Sequence, residues 1–372
     1  MIEIRKVKSN SELKKFISFP NTLYKGNPYR CPPILFDEKN TLSPSKNFAF
    51  DYCQAEYWLA YRNGKIVGRV AGIINPHANK RWGEELVRFG WIDFTNDPEV
   101  SQKLIDTVSE WGKTRGMKGI HGPLGFTDMD NEGMMVEGFD QHCTLSSIYN
   151  YPYYPEHMAG MGFVKAADWL QYEFEISPEV PEKFARTAKL VQEKYHLRML
   201  EAKKPKDLKV YAKKLFLMLN TAFDELYGFA ALSEKQIDAY IQQYFSFIRP
   251  EFVSVVLDSK DEVVGFGVSM PSLTKALQRS RGKLFPFGWL YLLNAVRKND
   301  IIDMYLVGVH PAYHGKGVAA LIWRDLNITY LKYGIKKAYS NPQLEENTKA
   351  LTIWKNFVGK QTIRRRCWIK HF

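Results

Sequence analysis

Three features of the 372-residue chain predict an α/β fold built from two tandem units. Strand-like and helix-like patterns alternate along its length, and 45% hydrophobic with 25% charged residues is the composition of a globular protein. Short stretches also recur in the same order in both halves. Lys65-Ile-Val-Gly68 is answered by Glu262-Val-Val-Gly265, and Arg115-Gly-Met-Lys118 by Tyr333-Gly-Ile-Lys336. A boundary near residues 178–182 follows, dividing the chain into 1–178 and 179–372.

In the first half, residues 2–7 read as a strand and 11–19 as a helix capped by Ser11. Residues 21–50, with Pro28, Pro32, Pro33 and Pro44, predict an extended loop. Residues 56–62 and 65–74 form a hairpin through Asn63-Gly64, because a two-residue turn of this kind needs positive φ at both positions. A strand over 86–93 leads to a helix over 98–115, with Asp97 as cap and Pro98 at its first position. A strand over 118–121, a helix over 154–161 and a strand over 169–176 complete the unit. The second half repeats the order: strand 197–202, helices 206–223 and 233–247, and a hairpin of 252–258 with 263–270. After an insert come strand 303–309, a glycine turn, helix 318–333, strand 337–341, helix 347–357 and strand 362–370.

The turn Pro311-Ala-Tyr-His-Gly-Lys-Gly-Val-Ala319 lies between strand and helix. Such a turn leaves the first amides of the helix unpaired and aimed outward, where the helix dipole adds partial positive charge, so it suits a phosphate. Gly315 and Gly317 let the backbone approach closely, and Lys316 adds a full charge. The spacing is neither that of a Walker loop nor that of the dinucleotide fingerprint.

The stretch resembles the GNAT (GCN5-related N-acetyltransferase) acyltransferases, whose pyrophosphate loop R/Q-x-x-G-x-G/A follows a strand ending in V-x-P. Here those are Val309-His-Pro311 and His314-Gly-Lys-Gly-Val-Ala319, with His314 where the family has Arg or Gln. Asn341-Pro-Gln-Leu-Glu-Glu-Asn347, with Ala350 and Trp354, resembles the second signature, in which an Asn opens a helix flanking the pantetheine arm. Met161-Gly-Phe163 resembles the L-G-F that closes a unit's last helix. The resemblance implies two GNAT-like units, each a mixed, mostly antiparallel central sheet flanked by helices. It implies direct transfer of an acyl group, acetyl or longer, from coenzyme A to a primary amine. Val307, Val309, His314, Gly315, Lys316, Gly317, Val318, Ala319, Asn341, Asn347 and Trp354 would then contact coenzyme A. Asp303 and Tyr305 occupy strand positions from which family bases project. Trp354 stands where many members have a tyrosine that protonates the leaving thiolate, so Tyr339 or Tyr305 substitutes, or coenzyme A leaves as the thiolate. At the equivalent turn the first unit has Phe94-Thr-Asn-Asp-Pro-Glu99, where two carboxylates would repel a phosphate.

Other stretches bear on function. The loop within 119–140 gathers glycines and polar groups; Thr127, Asp128, Asn131 and Glu132 would hold an amine, or the acids are merely solvated. The insert 272–300 places an apolar run, 284–296, between Lys275, Arg279, Arg281, Lys283 and Arg297, Lys298. It either lies on an anionic membrane, lines an acyl channel, or packs as a lid. Arg364-Arg-Arg366 reads as decoration of an edge strand. His142-Cys143 lacks the strand-turn-helix elbow of a nucleophile. Four separated cysteines and no H-E-x-x-H arrangement give no expectation of a metal or a disulfide framework. The net charge of +12 fits either an anionic partner or dispersed solubilising lysines. A cytoplasmic location, with peripheral contact to the inner membrane face, is expected. So is a small-molecule or lipid-like amine as acceptor, and nucleic acid is not. Against the N-acyltransferase reading stand two alternatives: a Fem-like transferase using aminoacyl-tRNA, which explains the charge, and a non-catalytic acyl-CoA sensor, which explains the missing tyrosine.

Overall fold

The computed structural model describes residues 1–244, 248–347 and 359–372. All but the first residue of the helix expected over 347–357, and the end of that over 233–247, lie outside the described residues. In chain order the strands are β1 (Glu3–Lys6), β2 (Gln54–Arg62), β3 (Lys65–Ile74), β4 (Leu86–Phe94), β5 (Gly119–Gly122), β6 (Met134–Glu137) and β7 (Val164–Glu175). The second half contributes β8 (Arg198–Met199), β9 (Val253–Leu257), β10 (Val263–Pro271), β11 (Ile301–Val309), β12 (Lys337–Tyr339), β13 (Gln343–Leu344) and β14 (Gly359–His371).

Two compact units form, and each draws on separated parts of the chain. One comprises Met1–Leu170, Leu273–Asn294 and Thr362–Phe372; the other Gln171–Ser272 and Ala295–Gln361. The chain passes from the first to the second inside β7, upstream of the expected boundary at 178–182. It returns twice. The insert returns because Thr274 Oγ1 donates to the Cys143 carbonyl (3.3 Å), Gln278 Nε2 to the Pro28 carbonyl (2.7 Å) and Leu35 N to the Gly282 carbonyl (2.9 Å). The last strand returns because β14 pairs with β5 from Trp368↔Gly122 to His371↔Gly119. These pairings are long-range, and local pattern carries no trace of them.

In each unit the sheet is mixed and mostly antiparallel, as the resemblance implied. The first runs β1-β2-β3-β4-β5-β14, with only β4 and β5 parallel; the second runs β7-β12-β11-β10-β9-β8, with only β11 and β12 parallel. The parallel pair is joined in each by one long helix, Pro98–Lys113 or Val318–Lys332. Both helices bury an apolar face, through Leu104, Val108 and Trp111 in one and Leu321, Ile322 and Leu326 in the other. The repeated Val-Gly marks the same device twice. A Cβ on Gly68 would meet Leu104 and Val100 at 2.8 and 2.9 Å; one on Gly265 would meet Val318 at 2.9 Å. Only glycine lets each helix settle this close to its sheet.

Several local expectations change in detail. The first helix, Asn10–Leu23, is capped by Ser9 rather than Ser11, through a reciprocal box with Glu12 (Glu12 N to Ser9 Oγ 3.2 Å, Ser9 N to Glu12 Oε2 3.0 Å). The loop 21–50 includes a short helix, Leu35–Thr41. The Asn63-Gly64 hairpin forms, with φ of 51° and 74°. Arg364-Arg-Arg366 is not edge decoration, because β14 has neighbours on both sides and its alternation sorts the three cations. Arg365 is fully buried, with its guanidinium against the Ile148 carbonyl (3.3 Å) and Cys143 Sγ (3.5 Å). Arg364 and Arg366 face Asp168, whose buried carboxylate accepts from Arg366 Nε (2.8 Å) and Arg364 Nη1 (3.0 Å). Burial alone would raise the Asp168 carboxyl, but the two guanidinia outweigh it and hold it below its ordinary value. Asp168→Ala removes the carboxylate shared by two cations at the strand that closes the first unit, leaving Arg364 its second pairing, with Glu137 (3.2 Å). A loss of about 3–5 kcal/mol is expected, measured as a lower urea midpoint at unchanged m-value.

Candidate functional site

Strands β11 and β12 are parallel over three pairs only, Ile301↔Lys337, Ile302↔Ala338 and Asp303↔Tyr339. Beyond Asp303, β11 runs on to Val309, while the chain leaving β12 turns to β7 through Ser340, whose N donates to the Tyr172 carbonyl (2.9 Å). The β12 side of Met304–Val309 has no strand partner among the described residues. On its other side β11 carries a bulge: Ser269 pairs with Met304 and Val268 with Leu306, so Tyr305 is the extra residue. The bulge changes which side chains face the helix side. Ile302 and Met304 pack there before it, and Val307 and Val309 after it, while Leu306 joins the cluster on the opposite face.

Asp303, the last paired residue before this opening, is 1% exposed, and its carboxyl has the Ser272 hydroxyl beside it. Burial pushes its carboxyl up to about 7, offset only in part by the Ser272 hydroxyl. Its register partner Tyr339 is raised above the ordinary phenol value, first by burial and then by Glu173, the next residue across the sheet. Glu173 in turn accepts from Lys337 Nζ at 2.7 Å. Asp303 and Tyr339 are thus brought together, and Tyr305 follows two positions on.

At the far end of β11 the turn forms as expected. Gly315 and Gly317 have φ of 73° and 82°, and Gly317 caps the Val318–Lys332 helix. No described carbonyl accepts from the amides of Gly315, Gly317, Val318 or Ala319; the Ala320 amide bonds the Gly317 carbonyl at 2.9 Å. A Cβ on Gly317 would meet Val191 at 2.9 Å, so the neighbouring helix Glu182–Tyr195 presses on the turn from behind. His314 does not extend outward as an Arg would: its Nε2 donates to the Val309 carbonyl (2.9 Å) and ties the turn to the strand end. Lys316 Nζ lies over the rings of Tyr313 (5.1 Å) and Tyr195 (5.3 Å). Free amides, a nearby ammonium and no carboxylate in the turn make a site whose donors fit a pyrophosphate. Asn341 accepts from Gln343 Nε2 at 2.6 Å, and the Asn347 amide donates to the Leu344 carbonyl at 3.0 Å. Trp354 lies outside the described residues.

The first unit has the same ladder, with a different outcome. Its parallel pair ends at Arg88↔His121, the position that Asp303↔Tyr339 holds in the second. Here the opening is filled by the chain itself: the Leu124 amide donates to the Phe89 carbonyl (2.9 Å), and the Leu124 carbonyl lies against Gly90. The helix start is also occupied. Asp97 accepts from the Glu99 amide at 3.1 Å, and Arg62 pairs with Asp97 and Glu99 at 2.6 and 2.8 Å. Around Arg88 the loop gathers acids. Asp128 and Glu132 each hold a buried oxygen without a partner; burial raises both, with repulsion from Asp130 added at Asp128 and from Asp128 and Asp130 at Glu132. Asp130 accepts from the Phe126 and Thr127 amides (2.8 and 3.2 Å), yet burial still takes it to about 6. Thr127 is buried within this turn, and Asn131 donates to the Leu145 carbonyl (3.3 Å). Asp128 and Glu132 stand out in the sequence as polar loop residues, whereas Arg88, His121, Asp130 and Glu38 do not. Their convergence depends on strand pairing; the one available signal was an Arg in the middle of an apolar strand.

The raised Asp303 carboxyl has a sign that can be measured. Between the unfolded value near 4 and the folded value of about 7, folding takes up a proton, so this group's contribution to stability falls as pH rises. Asp303→Asn should therefore be more stable than the natural protein at pH 8, by up to about 4 kcal/mol. The advantage should vanish near pH 4, as followed by urea denaturation across that range.

No family model matches the chain. Two relatives align with most of it. Protein YghO of Escherichia coli (strain K12) is 26% identical over 356 residues, 93% of this chain and 89% of that protein. A bacterial ceramide synthase of Caulobacter vibrioides (strain NA1000 / CB15N) is 28% identical over 289 residues, 77% of this chain and 74% of that protein. Among solved structures, a tandem GNAT protein from the clavulanic acid biosynthesis pathway superposes with a TM-score of 0.57 at 12% identity, covering 100% of this chain and 98% of that one. A GCN5-related N-acetyltransferase from Sphaerobacter thermophilus does so with a TM-score of 0.55 at 10% identity, covering 100% and 95%. With the duplicated ladder, the bulged strand and the glycine turn, these superpositions establish that the chain has the tandem fold of the GCN5-related N-acetyltransferases.

Proposed function

We propose that the second unit is an acyl-CoA-dependent N-acyltransferase that acylates a primary amine directly. The observation that carries this reading is the coupling, along one strand, of a turn with four amides that no described carbonyl accepts to an open strand pair headed by a buried carboxyl. The turn holds the pyrophosphate of coenzyme A, which lays the thioester along the unpaired side of β11. The amine nitrogen bonds to the thioester carbonyl carbon and gives a proton to Asp303, whose value of about 7 suits it to that task near neutral pH. The carbon–sulfur bond then breaks. Tyr339, which keeps its phenolic proton at neutral pH, supplies a proton to the leaving sulfur.

A long acyl chain and a lipid-like amine are the substrates we favour. A ceramide is the amide of a fatty acid with a long-chain base, and a relative bearing that name aligns with 77% of this chain.

Two experiments test the reading. Gly315→Asp places a carboxylate in the turn at a position where a Cβ would meet nothing and where Asp tolerates positive φ, so the fold should persist. Coenzyme A affinity by calorimetry should fall at least about tenfold through repulsion of the pyrophosphate; unchanged affinity would overturn the turn assignment. Amine-dependent thiol release from acetyl-, octanoyl- and palmitoyl-CoA, with the amide identified by mass spectrometry, tests the chemistry. Each buried methylene should favour the longer thioester by up to about fourfold. Equal rates across the series would remove the long-chain part of the proposal, and no release with any amine would remove the whole.

A further inference from the structure

The insert is held at its base and bare at its tip. Its first helix, Thr274–Ser280, is fastened to the first unit by Thr274 and Gln278, and Gly282 sits directly against the Pro33 carbonyl. Beyond that anchor, Phe285 and Phe287 are 78% and 61% exposed. In the following helix, Gly288–Arg297, Trp289, Leu290 and Leu293 are 40–47% exposed and lie at helical spacing on one side. The lid reading requires these side chains to be packed away, and they are not.

Charge identifies the partner. From Val263 to Asn299 the chain contains no acidic residue, while Lys275, Arg279, Arg281, Lys283, Arg297 and Lys298 are all cationic. Lys283 and Arg297 lie at either end of the apolar tip. Arg279 is stacked over Tyr291 at 4.1 Å. We propose that this tip is a membrane-docking surface that inserts its aromatic side chains among the headgroups of a bilayer carrying anionic lipid.

The geometry favours a bilayer over a protein groove. Two phenylalanines project from a turn ahead of the helix, and Trp289 already bonds its indole N–H to the Pro286 carbonyl (3.1 Å), which suits an aromatic ring at the depth of the headgroups. The helix is about 15 Å long, enough to lie in the interface and too short to span it. No helix among the described residues is long and apolar enough to cross a membrane. The inference does not depend on the transferase reading, because it is tested without any acyl-CoA.

The full chain is floated with vesicles of phosphatidylcholine alone or mixed with phosphatidylglycerol. Binding to the mixed vesicles only is expected. It should fall at least about tenfold in F285S/F287S/W289S and in K283E/R297E, and with rising salt. Unchanged melting temperatures would verify that both variants fold, and single substitutions replace either one that does not. Absence of flotation, or equal flotation with neutral vesicles, would overturn the proposal. So would a concentration-dependent dimer in sedimentation that the same substitutions abolish, because a second copy would then occupy the face.

Discussion

Three residues of parallel pairing between β11 and β12 set what the second unit offers. Had the pairing continued, the amides and carbonyls of Met304–Val309 would be spent on the neighbouring strand and the sheet would be closed. Because it stops, a strand edge is left without a strand partner among the described residues, next to a helix start whose amides no described carbonyl accepts. Unpaired backbone is normally costly where water is excluded. Here, among the described residues, the edge of β11 and the amides of Gly315, Gly317, Val318 and Ala319 follow one another along the chain, which is the arrangement a long, polar-headed ligand can complete.

The first unit supplies an internal control. It has the same helix over the same glycine device and the same short parallel pair, so duplication alone produces the opening. What removes it is a few residues: Leu124 fills the gap with its own hydrogen bonds, and Asp97 with Glu99 satisfies and repels at the helix start. At the shared ladder position the charge is reversed. Arg88 is compensated by surrounding acids that burial keeps partly protonated, while no described cation pairs with Asp303. In one unit the raised carboxyls surround an arginine, and in the other the raised carboxyl stands at the head of the open strand edge.

Features fixed by neighbouring residues were legible in the sequence. The Asn63-Gly64 hairpin, the Asp97 cap and the glycine turn each depend on a few adjacent side chains and on φ values only some residues adopt. The even pattern of strands and helices likewise gave two units, because burial on one face imposes a period. What escaped was decided by partners far along the chain. Nothing local to 362–370 says that this strand completes the first unit's sheet, and so the three arginines were misread as an edge. The buried acid and arginine cluster was half seen for the same reason. Asp128 and Glu132 stand out in a polar loop, whereas Arg88 is recognisable only once β4 and the loop are known to meet.

The net charge of +12 was equally open, since dispersed lysines and a concentrated patch give the same total. Its distribution separates the two. Half of it equals the six cations of one acid-free segment, and that segment is also where the large exposed apolar side chains gather. Solubility would be served by placing cations anywhere on the surface and is poorly served by placing them around bare phenylalanines. A clustered arrangement raises the local potential within a screening length of about 8–10 Å, which matters only to a surface that approaches closely. Exposed apolar area and unshielded positive charge therefore have one explanation in common: both are retained for contact with something that is anionic outside and apolar beneath.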